Sequence, residues 1–421
     1  MTPSGISQNP QVDETVQAHA SAVRAPAGGR VLMLLENNSY PQDFRVRHEA
    51  RALTDAGYEV TVISPARPGQ PWRETIDGVH VYRYPAPPEA SGVMGYLFEY
   101  GYSTAAMFIL SLLVYLRDGF DVIHAANPPD TLVLVAAIYK LLGKRFVYDH
   151  HDLVPELYHA RFAGRGSRLM HLALLTLEKL SLRYADHVIA TNQSYKEMEM
   201  KRGGVPERRV TIVRNGPELN GRQVAEPDPG LRQKGKTIIG YVGVMGFQDG
   251  VDYLLRALDH LVHDLGRTDV FCVLIGGLGS AQPSLKRLAT QLGLDDYVSF
   301  TGWVSDADLL RHIASADLCV DPDPSNPFND RSTMTKMMEY MAEAKPIVAF
   351  DLPEHRRTAQ AAAIYVRPND ELEFARALAQ LIDDPARQQA MGVFGRKRVE
   401  TELAWHYSAQ NLVGAYRLLF P

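Results

Sequence analysis

The sequence predicts an α/β protein made of two doubly wound domains that face each other across a cleft. Three observations lead there. From Arg30 onward, short β-branched runs alternate with longer helical stretches, the pattern that yields parallel sheets covered on both faces by helices. The alternation stops in a polar stretch with several prolines and glycines, residues 215–236, and then begins afresh. A chain of 421 residues also exceeds one ordinary core, and at about 150 residues per domain two is the natural division.

In the first half the short apolar runs at 31–35, 59–64, 79–84, 122–125, 146–149, 188–191 and 210–214 read as strands, with helices over 44–56, 131–142 and 168–184. In the second half strands are expected at 237–242, 270–275, 297–300, 318–320, 347–350 and 363–366, and helices over 251–263, 284–291, 306–313, 335–343 and 371–382. A last helix, 408–419, follows Trp405 and Tyr407 and is expected to return to the first domain. The predicted division is a disordered tail over 1–29, a first domain over 30–216, a linker over 217–236, a second domain over 237–400 and the returning helix over 401–421.

Hydrophobic residues make up 46% and charged residues 22%, the balance of a folded globular protein. A net charge of -5 gives no global attraction for nucleic acid. The two cysteines, Cys272 and Cys319, lie in apolar strand-like runs, so neither a disulfide framework nor a zinc site is expected, and the cytoplasm is the expected location. The apolar run 105–116, AAMFILSLLVYL, falls short of the roughly 20 residues needed to span a bilayer. A buried core helix is the expected form, with an interfacial helix as the alternative.

Parallel sheets bind ligands beyond the carboxyl ends of their strands, so chemistry is expected where the two domains' loops meet. Residues 321–351 join a polar loop to a helix and a buried strand. A helix starting near Ser332 or Thr333 would aim unpaired N–H groups and a positive dipole end at a diphosphate. Lys336 would add a point charge and Glu339, on the same face, could accept the hydroxyls of a ribose. From spacing alone, an ordinary capped helix with a Lys–Glu surface pair fits equally well. In the first domain, the run Asp149-His150-His151-Asp152 follows a strongly apolar strand, and His151 is the histidine expected to face the cleft.

Glu339-Tyr340-Met341-Ala342 followed by Lys345-Pro346-Ile347-Val348 resembles the donor-site signature of glycosyltransferase family 4. Tyr241-Val242-Gly243 with Gly250-Val251-Asp252, Phe300-Thr301-Gly302-Trp303-Val304, Val213-Arg214-Asn215-Gly216 and His151-Asp152 resemble further pieces of that family in the same order. The resemblance implies two Rossmann-like domains in a GT-B arrangement, a retaining sugar transfer from a nucleoside diphosphate sugar as co-substrate, no other cofactor and no catalytic metal. A nucleotide-sugar 2-epimerase or a silent nucleotide-sugar-binding protein would share this architecture. Val244 and Asp249 stand where many members carry basic residues near the phosphates, and Arg331 stands where many carry a first glutamate. The missing positive charge is therefore expected from Lys336, Arg331 and the helix N-terminus.

The expected catalytic residues are His151, Asp152, Lys336 and Glu339. Donor contacts are expected from Gly243, Gly250, Gly302, Trp303, Val304, Arg331, Ser332, Thr333 and Met334, and acceptor contacts from Asp43, Arg45 and Asn127. The expected acceptor is a glycan or lipid-linked hydroxyl in surface polysaccharide or glycolipid assembly. Arg161, Arg165 and Arg168, together with the apolar run 105–116, predict a peripheral contact with anionic membrane at its inner face, and scattered arginines on a wet surface are the alternative.

Overall fold

The computed structural model describes residues 28–88, 92–161, 166–219, 224–232, 234–277, 279 and 281–420. Residues 1–27 of the expected tail, the linker positions 220–223 and 233, Arg165 and the side chain of Arg161 lie outside the described residues.

The first sheet is built from β1 (Arg30–Leu34), β2 (Glu59–Ala66), β3 (Arg73–Ile76), β4 (Val79–Pro85), β5 (Val122–Ala126), β6 (Arg145–His150), β7 (His187–Ala190) and β8 (Val210–Ile212). Its spatial order is β3-β4-β2-β1-β5-β6-β7-β8, and every pairing is parallel except β3 with β4. The central strands are near-continuous apolar runs because helices cover both faces. Strand β3 was not expected from the sequence. Its polar residues hide the strand period, while Asp77 and Gly78, with φ of 51° and 81°, make the tight turn into β4.

Among the described residues, seven helices accompany this sheet: α1 (Phe44–Asp55), α2 (Gly92–Arg117), α3 (Leu132–Leu141), α4 (Val154–Arg161), α5 (Arg168–Tyr184), α6 (Gln193–Gly203) and, at the far end of the chain, Trp405–Leu419. On one face Val46, Ala50 and Leu53 of α1 pack with Trp405, Leu412, Tyr416 and Leu419 of the terminal helix. On the other face α2, α3 and α5 bury Met107, Val114, Leu132, Val135 and Leu182.

Helix α2 corrects the expectation of a short buried core helix. It runs for 26 residues, and Met94–Arg117 is long and apolar enough to cross a membrane by length and composition. One side, with Ser103, Met107, Ser111 and Val114, packs onto the domain, while Ile109 and Leu116 are 65% and 82% exposed. The apolar run favoured a buried core helix over an interfacial one, yet packing covers only the side that meets the domain.

The second sheet contains β9 (Thr237–Gly243), β10 (Val270–Gly276), β11 (Val298–Gly302), β12 (Leu318–Asp321), β13 (Ile347–Phe350) and β14 (Ala363–Val366), all parallel, in the order β11-β10-β9-β12-β13-β14. Around it lie α7 (Pro229–Arg232), α8 (Val251–Asp259), α9 (Gln282–Gln291), α10 (Asp306–Ser315), α11 (Thr335–Ala342), α12 (Pro353–Ala359), α13 (Glu371–Ile382) and α14 (Pro385–Arg398), and the terminal helix Trp405–Leu419 becomes α15. Ser305, Asp370 and Asp384 cap α10, α13 and α14 by accepting from backbone N–H groups of the first turn, each worth about 1 kcal/mol.

The two halves touch directly. Asn192 caps α6 through its carbonyl oxygen, while its amide nitrogen donates to the carbonyl of Arg331 at 2.8 Å and to Thr333 Oγ1 at 3.0 Å. Ser194 donates to the buried carboxylate of Glu354 on α12 at 2.6 Å, and Arg357 reaches back to Ser194 and Glu197.

Candidate functional site

The carboxyl edges of the two sheets enclose the site. A cavity of about 500 Å³ is lined by Asn37, Asp43, Phe44, Arg45, His151, Asp152, Asn215 and Pro217 from one side and by Thr335 and Glu339 of α11 from the other. A second cavity of about 220 Å³ shares His151, Asp152 and Asn215 and is bounded by Thr191, Tyr195, Phe328, Ser332, Thr333 and Met334. The structure thus brings together Asp43, Arg45, His151, Asp152, Ser332, Thr333, Met334 and Glu339, which lie far apart in sequence.

The His151-Asp152 step is held by Asn127. Its Oδ1 accepts the backbone N–H of His151 at 2.8 Å and of Asp152 at 3.1 Å, and its Nδ2 donates to the Asp152 carbonyl at 2.7 Å and to Asp130 at 3.1 Å. Asn127 is buried, so the expected acceptor contact is corrected to a positioning role. All of its amide capacity serves the loop that presents His151.

Arg45 lines the same cavity, and its guanidinium is engaged with Asp149 (Nε to Oδ2, 2.8 Å), with Asn215 Oδ1 (2.7 Å) and with the Val213 carbonyl (3.0 Å), with Glu49 at 3.1 Å. Burial opposes the charge of Asp149, yet Arg45 outweighs it and holds the carboxyl well below the usual range. His124 completes the cluster, with Nε2 at 3.2 Å from Glu49 and Nδ1 at 2.7 Å from the Tyr416 hydroxyl of α15. Burial lowers its pKa, but bonds and charge from Asp149 and Glu49 raise it to about 9. Glu49, His124 and Asp149 could in geometry hold a metal ion, but their charge is already balanced by Arg45 and the imidazolium.

In the second domain Lys336 departs from its expected role. Its ammonium is buried, 2.6 Å from Asp323 Oδ1 and 3.3 Å from Asp321 Oδ1, and lies over the Tyr241 ring at 4.9 Å. Burial disfavours its charge, but the two carboxylates outweigh that and hold it protonated. It neutralises the end of β12 instead of facing the cavity, because one residue along α11 turns the side chain about 100° from Thr335. The helix itself begins at Thr335, where the expected range 335–343 put it and not at Ser332 or Thr333, since Asn329–Arg331 forms a 3₁₀ turn and Ser332 is extended. The Arg331 guanidinium folds onto the Pro327 carbonyl.

Gly243, Gly250, Gly302, Trp303 and Val304 line neither cavity. They lie at the same sheet edge, Gly243 closing β9 and Gly302 closing β11, with Trp303 largely exposed beyond it. Gly250 has φ of 64°, and a Cβ there would come within 2.0 Å of the Pro322 carbonyl oxygen, so the β9–α8 turn can pass the β12 loop only as glycine. Asp249, where a basic residue was missing, accepts from the Gly246 N–H at 2.7 Å and so shapes the turn. Sequence reasoning missed Asn215, Phe44, Thr335 and Tyr195 as lining residues. The Asn215-Gly216 step stood in the motif reading and was the available signal for the first.

Two facing doubly wound domains with a cavity between their carboxyl edges are the class of α/β protein that binds a nucleotide-linked ligand between domains. Residues 43–216 match the family described as Glycosyl transferase 4-like domain, and residues 236–384 the family described as Glycosyl transferases group 1. The chain belongs to glycosyltransferase family 4, has the GT-B fold, and is a retaining enzyme that takes its sugar from a nucleotide donor. It is 24% identical over 409 residues to MMP alpha-(1->4)-mannosyltransferase of Mycolicibacterium hassiacum, covering 89% of this chain and 94% of that one. Among solved structures it resembles sucrose-phosphate synthase from Thermosynechococcus elongatus, with a TM-score of 0.76, 21% identity and coverage of 93% and 99% of the two chains. HepE of Anabaena in complex with UDP-glucose superposes with a TM-score of 0.70 at 17% identity, covering 92% and 99%.

Proposed function

We propose that this glycosyltransferase moves a hexose or related sugar from a nucleoside diphosphate to a hydroxyl of a lipid-linked or glycan acceptor during assembly of a surface polysaccharide or glycolipid, working at the inner face of the membrane. The observation that carries it is the shared cavity, in which Thr335 and Glu339 of one domain oppose His151 and Asp152 of the other. The first turn of α11 offers N–H groups to the diphosphate, and Glu339 is placed for sugar or ribose hydroxyls. The bond from the anomeric carbon to the diphosphate oxygen breaks as the acceptor oxygen bonds on the same face, and the acceptor proton passes to a phosphate oxygen. His151 then orients the donor sugar, and closure of the domains excludes water.

The lipid-linked acceptor is supported by the apolar surface of the first domain. Met94, Ile109 and Leu116 of α2, Leu134 and Leu141 of α3 and Leu169 of α5 are all exposed, and so are Arg117 at the end of α2 and Arg168 at the start of α5. The test is a thermal-shift panel of nucleoside diphosphates and their sugars, followed by transfer of labelled sugar to membrane extract. A donor that stabilises the wild type but not Glu339→Ala, and labels the lipid fraction, agrees with the proposal. Donor consumption with no acceptor present overturns it.

A further inference from the structure

A groove of about 330 Å³ runs between α2 and α3, away from the cleft, lined by Gly101, Thr104, Ala105 and Phe108 on one helix and by Thr131, Leu134, Val135 and Ile138 on the other. We infer that it holds one hydrocarbon chain of the lipid-linked acceptor. The inference rests on the lipid-linked reading above and deepens it.

Two features favour a chain over a partner protein. From Gly101 to Phe108 the groove spans two helical turns, about 10 Å, which is no longer than a helix is wide. Such a slot takes an extended chain and offers an amphipathic helix too little length. Its walls present methyl, methylene and ring surface, and the two hydroxyls among them, Thr104 Oγ1 and Thr131 Oγ1, satisfy each other at 2.7 Å.

The groove and the cavity are linked through buried side chains. Ser103, beside Thr104, donates to Glu36 at 3.0 Å, and Glu36 adjoins Asn37, which lines the cavity. Thr131 adjoins Asp130, whose carboxylate accepts from the Asn127 amide that fixes His151 and Asp152. A head group lodged at Asn37 therefore sits one residue from Glu36, which is hydrogen-bonded to the helix that walls the groove, and the groove's outer rim continues into the exposed residues Ile109 and Leu134.

Gly101 supplies the test. A Cβ built there meets no atom within 4 Å, so a larger side chain enters the groove without displacing the fold, and leucine is a better helix former than glycine. The full-length protein is titrated with n-alkyl phosphates of roughly four to twelve carbons below their micelle concentration, a range spanning that groove length. Affinity is expected to rise about fourfold per buried methylene and to level off once the groove is filled. Gly101→Leu and Ala105→Phe should each weaken dodecyl phosphate at least tenfold, keep the thermal shift given by nucleoside diphosphate, and lose transfer to lipid extract. Chain-length-independent binding, or plugged variants that bind like the wild type, overturns the inference while leaving the enzyme reading intact. If the wild type shows chain-length-dependent binding but labels no lipid, the acceptor reading fails instead. A dimer in the wild type that Gly101→Leu dissociates, without alkyl binding, assigns the groove to a second copy and also overturns the inference.

Discussion

Arg45 on α1 grips Asp149 at the end of β6, two residues that lie 104 positions apart and are both buried at the floor of the cavity. The pair faces Asn215 and Val213 at the exit of the first domain, so one guanidinium ties together the entry helix, the strand that leads to His151 and the start of the linker. Removing Arg45 leaves two buried carboxylates, Asp149 and Glu49, with only the His124 imidazolium to offset them. Arg45→Ala is therefore expected to lose about 3–5 kcal/mol in denaturant unfolding, and Arg45→Lys to recover only part of it because the bidentate fork is lost. Wild-type stability in Arg45→Ala would refute the pairing.

Glu339 lines the cavity from α11. A hydrogen bond to a charged carboxylate contributes about 1.5–3 kcal/mol, so Glu339→Ala should bind the sugar nucleotide roughly 10–150-fold more weakly. Calorimetric titration of donor into both proteins measures this directly.

His151 and Asn127 should separate by readout. His151→Ala is expected to lower kcat about 10²-fold with donor affinity retained, as for a group that orients the reacting sugar. Asn127→Ala leaves two buried N–H groups without their acceptor and should cost about 1–3 kcal/mol of stability as well as kcat. A variant of Asn127 that changes only acceptor KM would contradict its positioning role.

His124 makes stability depend on pH. Its folded pKa of about 9 lies above the ordinary value of 6.5, so the folded state gains from protonation. That gain is complete below pH about 6.5 and disappears as pH rises toward about 9, with an order of magnitude of about 3 kcal/mol. Urea midpoints measured across this range should fall faster for the wild type than for His124→Gln. Parallel profiles would show that His124 is neutral in the folded protein.

Glu354 clamps the two domains through Ser194 and Arg357. Glu354→Ala should enlarge the radius of gyration seen by small-angle scattering and raise the donor KM, since a looser cleft orders less readily around its substrate. An unchanged scattering curve would remove the clamp from the mechanism.

Much of this was already present in the order of residues. Alternating apolar runs and helical stretches set two parallel sheets, and the carboxyl-edge rule then pointed to the loop holding His151 and the helix holding Glu339, which line one cavity. Strand β3 and helices α4, α6, α12 and α14 escaped because their polar faces blur the hydrophobic period.

Local pattern decides which segments are strands or helices, and it placed the functional loops at the right edge of each sheet. The tertiary structure alone decided what each charge meets. Lys336 and Arg45 looked available to substrate in sequence, yet the fold pairs them with Asp323 and Asp149, and of the two only Arg45 still lines the cavity. Desolvation makes a charge seek the partner that packing supplies, and that partner can lie a hundred residues away. The same holds for α2, whose apolar run says that it avoids water on its own, while only its neighbours determine which side remains uncovered.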